Sequence, residues 1–326
     1  MRSSIITAPR EVATSGGLPR ARALAKRFHD IYLIAPAFLM VLIIFAIPTT
    51  VVILQSFFDW KPAGESPFIG FANYIELFTS PAFHQILFNQ AVLLSGLPLF
   101  VLAPLVVSLL LFDRVKGAGV FRTIFFFPAV LAPPIVAIMM RAVLAEDGLI
   151  NSLFRAVGLD ALALPWLTDE TLVKPTLIVI LTWAGMGVGI VIFSSALSAL
   201  PVEYVEAAML DGATWGQRMR FIVLPELRPT LELWIAFQVI SVFAFSFGWI
   251  FVLTSGGPNS SSATLDFSIY QNALKFGFFG LAAAESVFLL LIVGVLGAIR
   301  GLITRREHQR ESAGNDVDRL GPRRRS

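Results

Sequence analysis

Six stretches of this chain, each roughly twenty residues long and nearly free of charge, limit what it can fold into. They run Ile31 to Phe58, Ile86 to Phe112, Thr123 to Met140, Thr176 to Leu200, Leu233 to Thr254 and Leu281 to Ile303. A hydrocarbon core about 30 Å thick is crossed by about that many residues in a helix. A helix also satisfies its own backbone hydrogen bonds, as lipid demands. Composition agrees, with 56% hydrophobic and 14% charged residues and a mean hydropathy of +0.77. A soluble domain carries about a quarter charged residues. The sequence therefore predicts an all-α integral membrane protein with six transmembrane helices in residues 31–303.

The interruptions inside these runs are informative. The second holds Asn89, Gln90, Pro98 and Pro104, and the third holds Pro128 and the pair Pro133-Pro134. The fourth carries Gly185, Gly187 and Gly189 at alternating positions, which suits close helix packing or a bend. Asn89, Gln90, Trp183, Gln238, Ser241, Ser246 and Trp249 are the polar and aromatic groups available to line a solute route. Sugars suit such a lining, because hydroxyls need hydrogen bonds and sugar faces stack on aromatic rings. The same residue types also tie membrane helices together. Glu285 is the one carboxylate within a span, and it is read as an interfacial or helix-pairing group within reach of external water. No basic group lies deep in a span, which favours neutral solutes over phosphorylated ones.

Positive charge orients the chain. Of its 25 Lys and Arg, all but Lys61, Arg141, Arg155, Lys174 and Lys275 fall on one side of the six-span topology. That bias predicts both termini in the cytoplasm. Residues 1–30 are polar and basic and are expected to form a cytoplasmic N-terminal tail, and residues 304–326 a basic C-terminal tail. Their arginines are expected to meet anionic membrane lipid. No aromatic platform accompanies the charge, so nucleic acid is not an expected partner. The first run is too long for a signal-peptide core and no A-x-A pattern follows it, so it is expected to remain as a helix.

Several chemistries are missing. With no cysteine there are no disulfides or thiolate sites. His29, His84 and His308 lie outside the apolar runs and form no H-E-x-x-H pattern. No metal site and no catalytic residue is expected. No G-x-x-x-x-G-K-[ST] loop occurs, so any ATP hydrolysis by that route belongs to another chain.

The stretch between spans four and five, residues 201–229, is the most patterned soluble segment. Pro201 suits a first helical turn, and Tyr204, Ala207 and Ala208 share one helical face. Gly212 is placed to take a left-handed conformation that ends that helix. Thr214 and Gln217 have capping-box spacing. Trp215, Met219 and Ile222 form a second apolar stripe, and Pro225 is expected to close the second helix.

Glu206-Ala207-Ala208, then Gly212, then Ile222-x-Leu224-Pro225 resembles the EAA loop of the membrane subunits of bacterial ABC importers. Ile69 to Tyr74, Gly148 to Asn151 and Leu253 to Pro258 are similar to the carbohydrate-uptake permeases of the maltose and glycerol-phosphate kind. Met219 stands where that family usually has phenylalanine, Gln90 where threonine is common, and Glu285 where small apolar residues are usual. The resemblance implies a type I ABC importer permease fold. It further implies a second permease subunit as heterodimer partner, a dimer of ATP-binding subunits that holds ATP and Mg, and an extracytoplasmic solute-binding protein. It assigns Glu206, Ala207, Ala208, Gly212, Ile222, Leu224 and Pro225 to ATPase coupling, with Glu206 expected to cap a helix or pair with a basic group. The function implied is ATP-driven import of a sugar or sugar derivative across the bacterial cytoplasmic membrane. An ion-gradient-driven secondary transporter is the alternative. It would need buried ionisable coupling groups and usually internal repeats, and Glu285 is the one residue of that kind.

Overall fold

The computed structural model describes residues 35–112 and 118–319, and helices account for nearly all of the regular structure there. The tail at 1–30, the segment 113–117 and residues 320–326, with Arg323 to Arg325, lie outside the described residues. Residues up to Val51 form a unit of their own. Its described part belongs to α1 (Ala35–Gln55), which carries a π-helical turn at Leu42–Ala46 and exposes its apolar side chains.

The second unit, from Val52, holds every other element. It comprises α2 (Ala72–Thr79), α3 (Pro81–Leu94), α4 (Leu97–Phe112), α5 (Ala118–Val130), α6 (Pro133–Val143), α7 (Leu149–Ala156) and α8 (Val173–Ser198). After these come α9 (Val202–Leu210), α10 (Trp215–Glu226), α11 (Arg228–Ala244), α12 (Phe247–Leu253), α13 (Leu265–Tyr270) and α14 (Phe279–Arg319).

Four apolar stretches are long enough to cross a membrane unaided: α1, the run Pro81–Phe112, α8, and α14 as far as Leu302. The other two expected spans are broken. The run Thr123 to Met140 is split between α5 and α6, because Ala132 precedes Pro133 and sits in an extended conformation. A residue before proline is pushed out of the helical region by its ring. The run Leu233 to Thr254 is split at Phe245 and Ser246, between α11 and α12. α14 also differs from expectation, continuing past Ile303 as helix to Arg319.

Two apolar clusters hold the second unit together. One gathers Val101, Leu105, Leu109, Phe193, Leu197, Met219, Val223, Leu227 and Trp234, from α4, α8, α10 and α11. The other joins α2, α3, α6, the first half of α8, α12, α13 and α14 around residues such as Phe83, Leu93, Leu177, Ile250 and Leu265. Gly189 makes the first cluster possible. A Cβ there would stand 2.6 Å from Pro104 Cβ and 2.9 Å from Trp234. Trp234 is fully enclosed, stacks on Phe237 at 5.5 Å between ring centres, and donates its indole N–H to Phe100 O at 3.1 Å.

Candidate functional site: a cavity between broken helices and an exposed loop

The two helix breaks meet at one cavity of about 230 Å³. Pro128, Ala129, Leu131 and Pro133 approach it from the α5–α6 break, and Phe245, Ser246 and Trp249 from the α11–α12 break. α8 contributes Ala184, Gly185 and Val188, and α11 contributes Trp234, Phe237, Gln238 and Ser241. A helix break frees backbone groups and opens space, which is tolerated at membrane depth where it lines a cavity. The lining mixes aromatic faces with an amide and two hydroxyls, so it can stack against and hydrogen-bond a polyhydroxylated solute.

Of the residues expected to line a route, Gln238, Ser241, Ser246 and Trp249 therefore come together here. Asn89, Gln90 and Trp183 do not. Asn89 donates to Ser260 O at 2.7 Å and Ala263 O at 3.0 Å, while accepting from Gln85 at 3.0 Å. Gln90 donates to Val242 O and accepts from Leu265 N. Both are enclosed, and their polar atoms are engaged within the chain, by backbone groups and, for Asn89 Oδ1, by the Gln85 side chain. Trp183 packs against the cluster around Leu177 and Ile250.

Similar clamps recur nearby. Asn73 donates to Ser56 O at 2.8 Å and Phe58 O at 3.0 Å. Asn151 donates to Leu164 O at 2.9 Å and accepts the Trp166 indole N–H at 2.8 Å. Glu285 is buried rather than within reach of external water, and its Oε1 accepts the Ser268 hydroxyl at 2.8 Å. It thereby pairs α14 with α13.

Asp266 was not singled out from the sequence. Its carboxylate accepts from Ser246, Phe247 N, Thr264 and Phe267 N, and so caps the first turn of α12 from the start of α13. Burial pushes this carboxyl above the usual carboxylate range, and the hydrogen bonds from Thr264, Ser246, Phe247 and Phe267 pull it back. The Thr264-Leu265-Asp266 run, a cap-like residue and an acid at a helix start, was the available signal. Nothing in the sequence said which second helix the acid would serve.

The loop at 201–229 has the opposite character. α9 ends at Gly212, which adopts φ +77°, a conformation that costs glycine little. Thr214 N donates to Gln217 Oε1 at 2.8 Å and Gln217 N to Thr214 Oγ1 at 3.4 Å, forming the capping box. α10 then passes through a π-helical turn, Met219–Val223. Pro225 stands one residue before the end of α10. α10 continues to Glu226 and meets α11 at a 68° bend around Leu227. Pro225 and Pro229 each sit in the first turn of a helical segment, where a missing N–H is tolerated.

The buried stripe of α10 is Met219 and Val223, continued by Leu227, rather than Trp215, Met219 and Ile222. The π turn inserts an extra residue after Met219, so that Val223 rather than Ile222 follows it on the buried face. Tyr204, Met209, Trp215 and Phe221 are exposed, and Leu210 is 89% exposed. Among the coupling candidates, Glu206, Ala207, Gly212 and Pro225 are exposed, and Ala208, Ile222 and Leu224 are half-buried. Glu206 neither caps a helix nor pairs with a base among the described residues. No group of His, Asp and Glu there is placed to hold a metal.

A helical protein with membrane-length apolar helices, an internal cavity at paired helix breaks and a patterned exposed loop is a membrane transport component. The chain belongs to the family of binding-protein-dependent transport system inner membrane components, whose model matches residues 67–309. It is 34% identical to a probable ABC transporter permease protein of Pyrococcus horikoshii over 74% of this chain and 83% of that one. It is 27% identical to the lactose transport system permease protein LacF of Rhizobium radiobacter, over 86% of this chain and 96% of the relative. The fold matches a chain in the crystal structure of a bacterial alginate ABC transporter in complex with alginate pentasaccharide-bound periplasmic protein. There the TM-score is 0.74 at 22% identity, covering 88% of this chain and 98% of that one.

Proposed function

We propose that this chain is the permease subunit of an ATP-driven ABC importer that carries a sugar or sugar derivative inward across the bacterial cytoplasmic membrane. Membership in the transport family and the sugar named for the lactose-system relative support this reading. The observation that carries it is the cavity at two helix breaks, lined by Gln238, Ser241, Ser246 and Trp249. Both termini and the 201–229 loop face the cytoplasm in this reading. The loop offers Tyr204, Leu210, Trp215 and Phe221 to a separate ATPase dimer, which holds ATP and Mg. A second permease chain completes the membrane part, and an extracytoplasmic binding protein delivers the solute.

Mechanically, the buried stripe Met219, Val223 and Leu227 joins the loop to Trp234, and Trp234 also lines the cavity. When ATP binding closes the ATPase dimer, displacement of α9 and α10 is passed through these side chains to α11. The helices tilt and the cavity opens outward, and hydrolysis returns them. The two states differ in their affinity for ATP, and that difference drives the cycle.

The test is to purify the chain in mild detergent with a tag on its N-terminal segment and to identify what accompanies it. A P-loop ATPase and a second six-helix chain, with sugar uptake that stops when ATP hydrolysis is blocked, are expected. A chain that purifies alone and transports with an ion gradient in the absence of ATP would overturn the reading and move attention to Glu285.

A further inference from the structure

Asp266 stands one side chain behind the cavity, and its arrangement bears on which solutes the cavity accepts. The inference rests on the saccharide reading above. Ser246 forms part of the cavity wall. Its hydroxyl donates to the two Asp266 oxygens at 2.9 and 3.0 Å. Phe247 N donates at 2.6 Å, the Thr264 hydroxyl at 2.6 Å and Phe267 N at 2.9 Å.

Two consequences follow from counting donors and acceptors. A serine hydroxyl has one proton and two lone pairs. With that proton directed at Asp266, the Ser246 oxygen can only accept from the cavity side. Asp266, in turn, meets a donor in each of these hydrogen bonds, so the ionised carboxylate is the form these partners satisfy. No ion-pair partner of Asp266 occurs among the described residues. Among the described residues, the cavity lining contains no Lys, Arg or His. A carboxylate is thus held beside a partly enclosed space without a compensating cation, where screening is weaker than in bulk water.

We propose that Asp266, acting through Ser246, sets the polarity of the cavity so that it admits neutral hydroxyl-bearing solutes and rejects carboxylated or phosphorylated ones. A neutral sugar donates a hydroxyl proton to the Ser246 oxygen and stacks on the neighbouring rings. An anionic sugar meets an acceptor and a like charge. Asp266 is a positioning residue here, since it touches no solute itself. If it served only to hold the break at Phe245 and Ser246, replacing it would alter stability and leave the ranking of solutes unchanged.

The experiment uses the two permease chains with their ATPase dimer in lipid nanodiscs, without the binding protein, and saturation-transfer NMR on equimolar mixtures. The probes are lactose, maltose and cellobiose, each set against its own aldonate (lactobionate, maltobionate, cellobionate). In the wild type the neutral sugar is expected to give a signal on the order of tenfold above its aldonate. Asp266→Asn keeps the shape and an acceptor oxygen but removes the charge, and it should narrow that ratio at least about fivefold. Asp266→Glu retains the charge and should retain the ratio even if it lowers the melting temperature. A ratio that is the same in wild type and Asp266→Asn, or a wild-type ratio near one, overturns the inference and leaves the saccharide reading standing. A wild type that gives no signal with any of the six probes removes the saccharide reading itself, and this inference with it.

Discussion

The segment 255–264 and the largely helical loop 201–229 both connect longer helices, yet they are held in opposite ways. Around 255–264 the buried polar side chains of other elements grip the backbone: Asn89 holds Ser260 and Ala263, and Gln90 holds Leu265. Ser262 ties the segment to itself through Gly257 O at 2.6 Å and Thr254 at 2.7 Å. In 201–229 the capping box is local, and large apolar side chains such as Leu210 and Phe221 face outward. The first connection is completed by the chain itself. The second is left for a partner to complete, which is why polar residues matter most in one and apolar residues in the other.

The strongest test removes the link between the 201–229 loop and the cavity. Trp234→Ala takes an enclosed ring from the cluster that joins the loop to the cavity, and should cost about 3–5 kcal/mol. Thermal unfolding in detergent checks it; a small loss would mean that the loop and the cavity are not mechanically joined there. Asn89→Ala should cost about 2–4 kcal/mol, because it leaves the Ser260 and Ala263 carbonyls without their buried donor. Limited proteolysis should then nick the 255–264 segment, and a clean, undigested variant would break the clamp account.

Smaller effects are expected in the loop. Gly212→Val meets no neighbour within 4 Å, so its penalty is one of backbone conformation alone, about 1–3 kcal/mol and confined to the loop. Membrane insertion should be normal while transport uncouples, and a normal uptake rate would remove Gly212 from the coupling role. Leu210→Ser should change global stability by no more than about 0.5 kcal/mol, as exposed substitutions usually do. Co-purification of the ATPase should nevertheless fall sharply. If the ATPase stayed bound, the exposed apolar face would have some other occupant.

What is legible in the sequence follows the range of the forces involved. Gly212 and the Thr214–Gln217 box were legible because their geometry is decided within four residues. The inner stripe of α10 keeps Met219 but continues through Val223 and Leu227 in place of Ile222, since a π turn inside the helix shifts the side-chain period. Pro133-Pro134 announced a break, whereas the break at Phe245 and Ser246 had no proline to mark it and is held by an acid twenty residues away. Asn89 and Gln90 look the same in sequence whether they face a solute or a backbone carbonyl. Their backbone partners lie more than 150 residues away along the chain.

By itself, then, the sequence determined membrane residence, the helical class and the exposed loop with its turn. Hydrophobic length, charge bias and short-range capping are properties of contiguous residues. Only the tertiary structure decided which helices break, which polar groups are consumed as clamps and which remain to face the cavity. Each of those outcomes depends on whether a distant donor or acceptor arrives within about 3 Å, and no local pattern encodes that meeting.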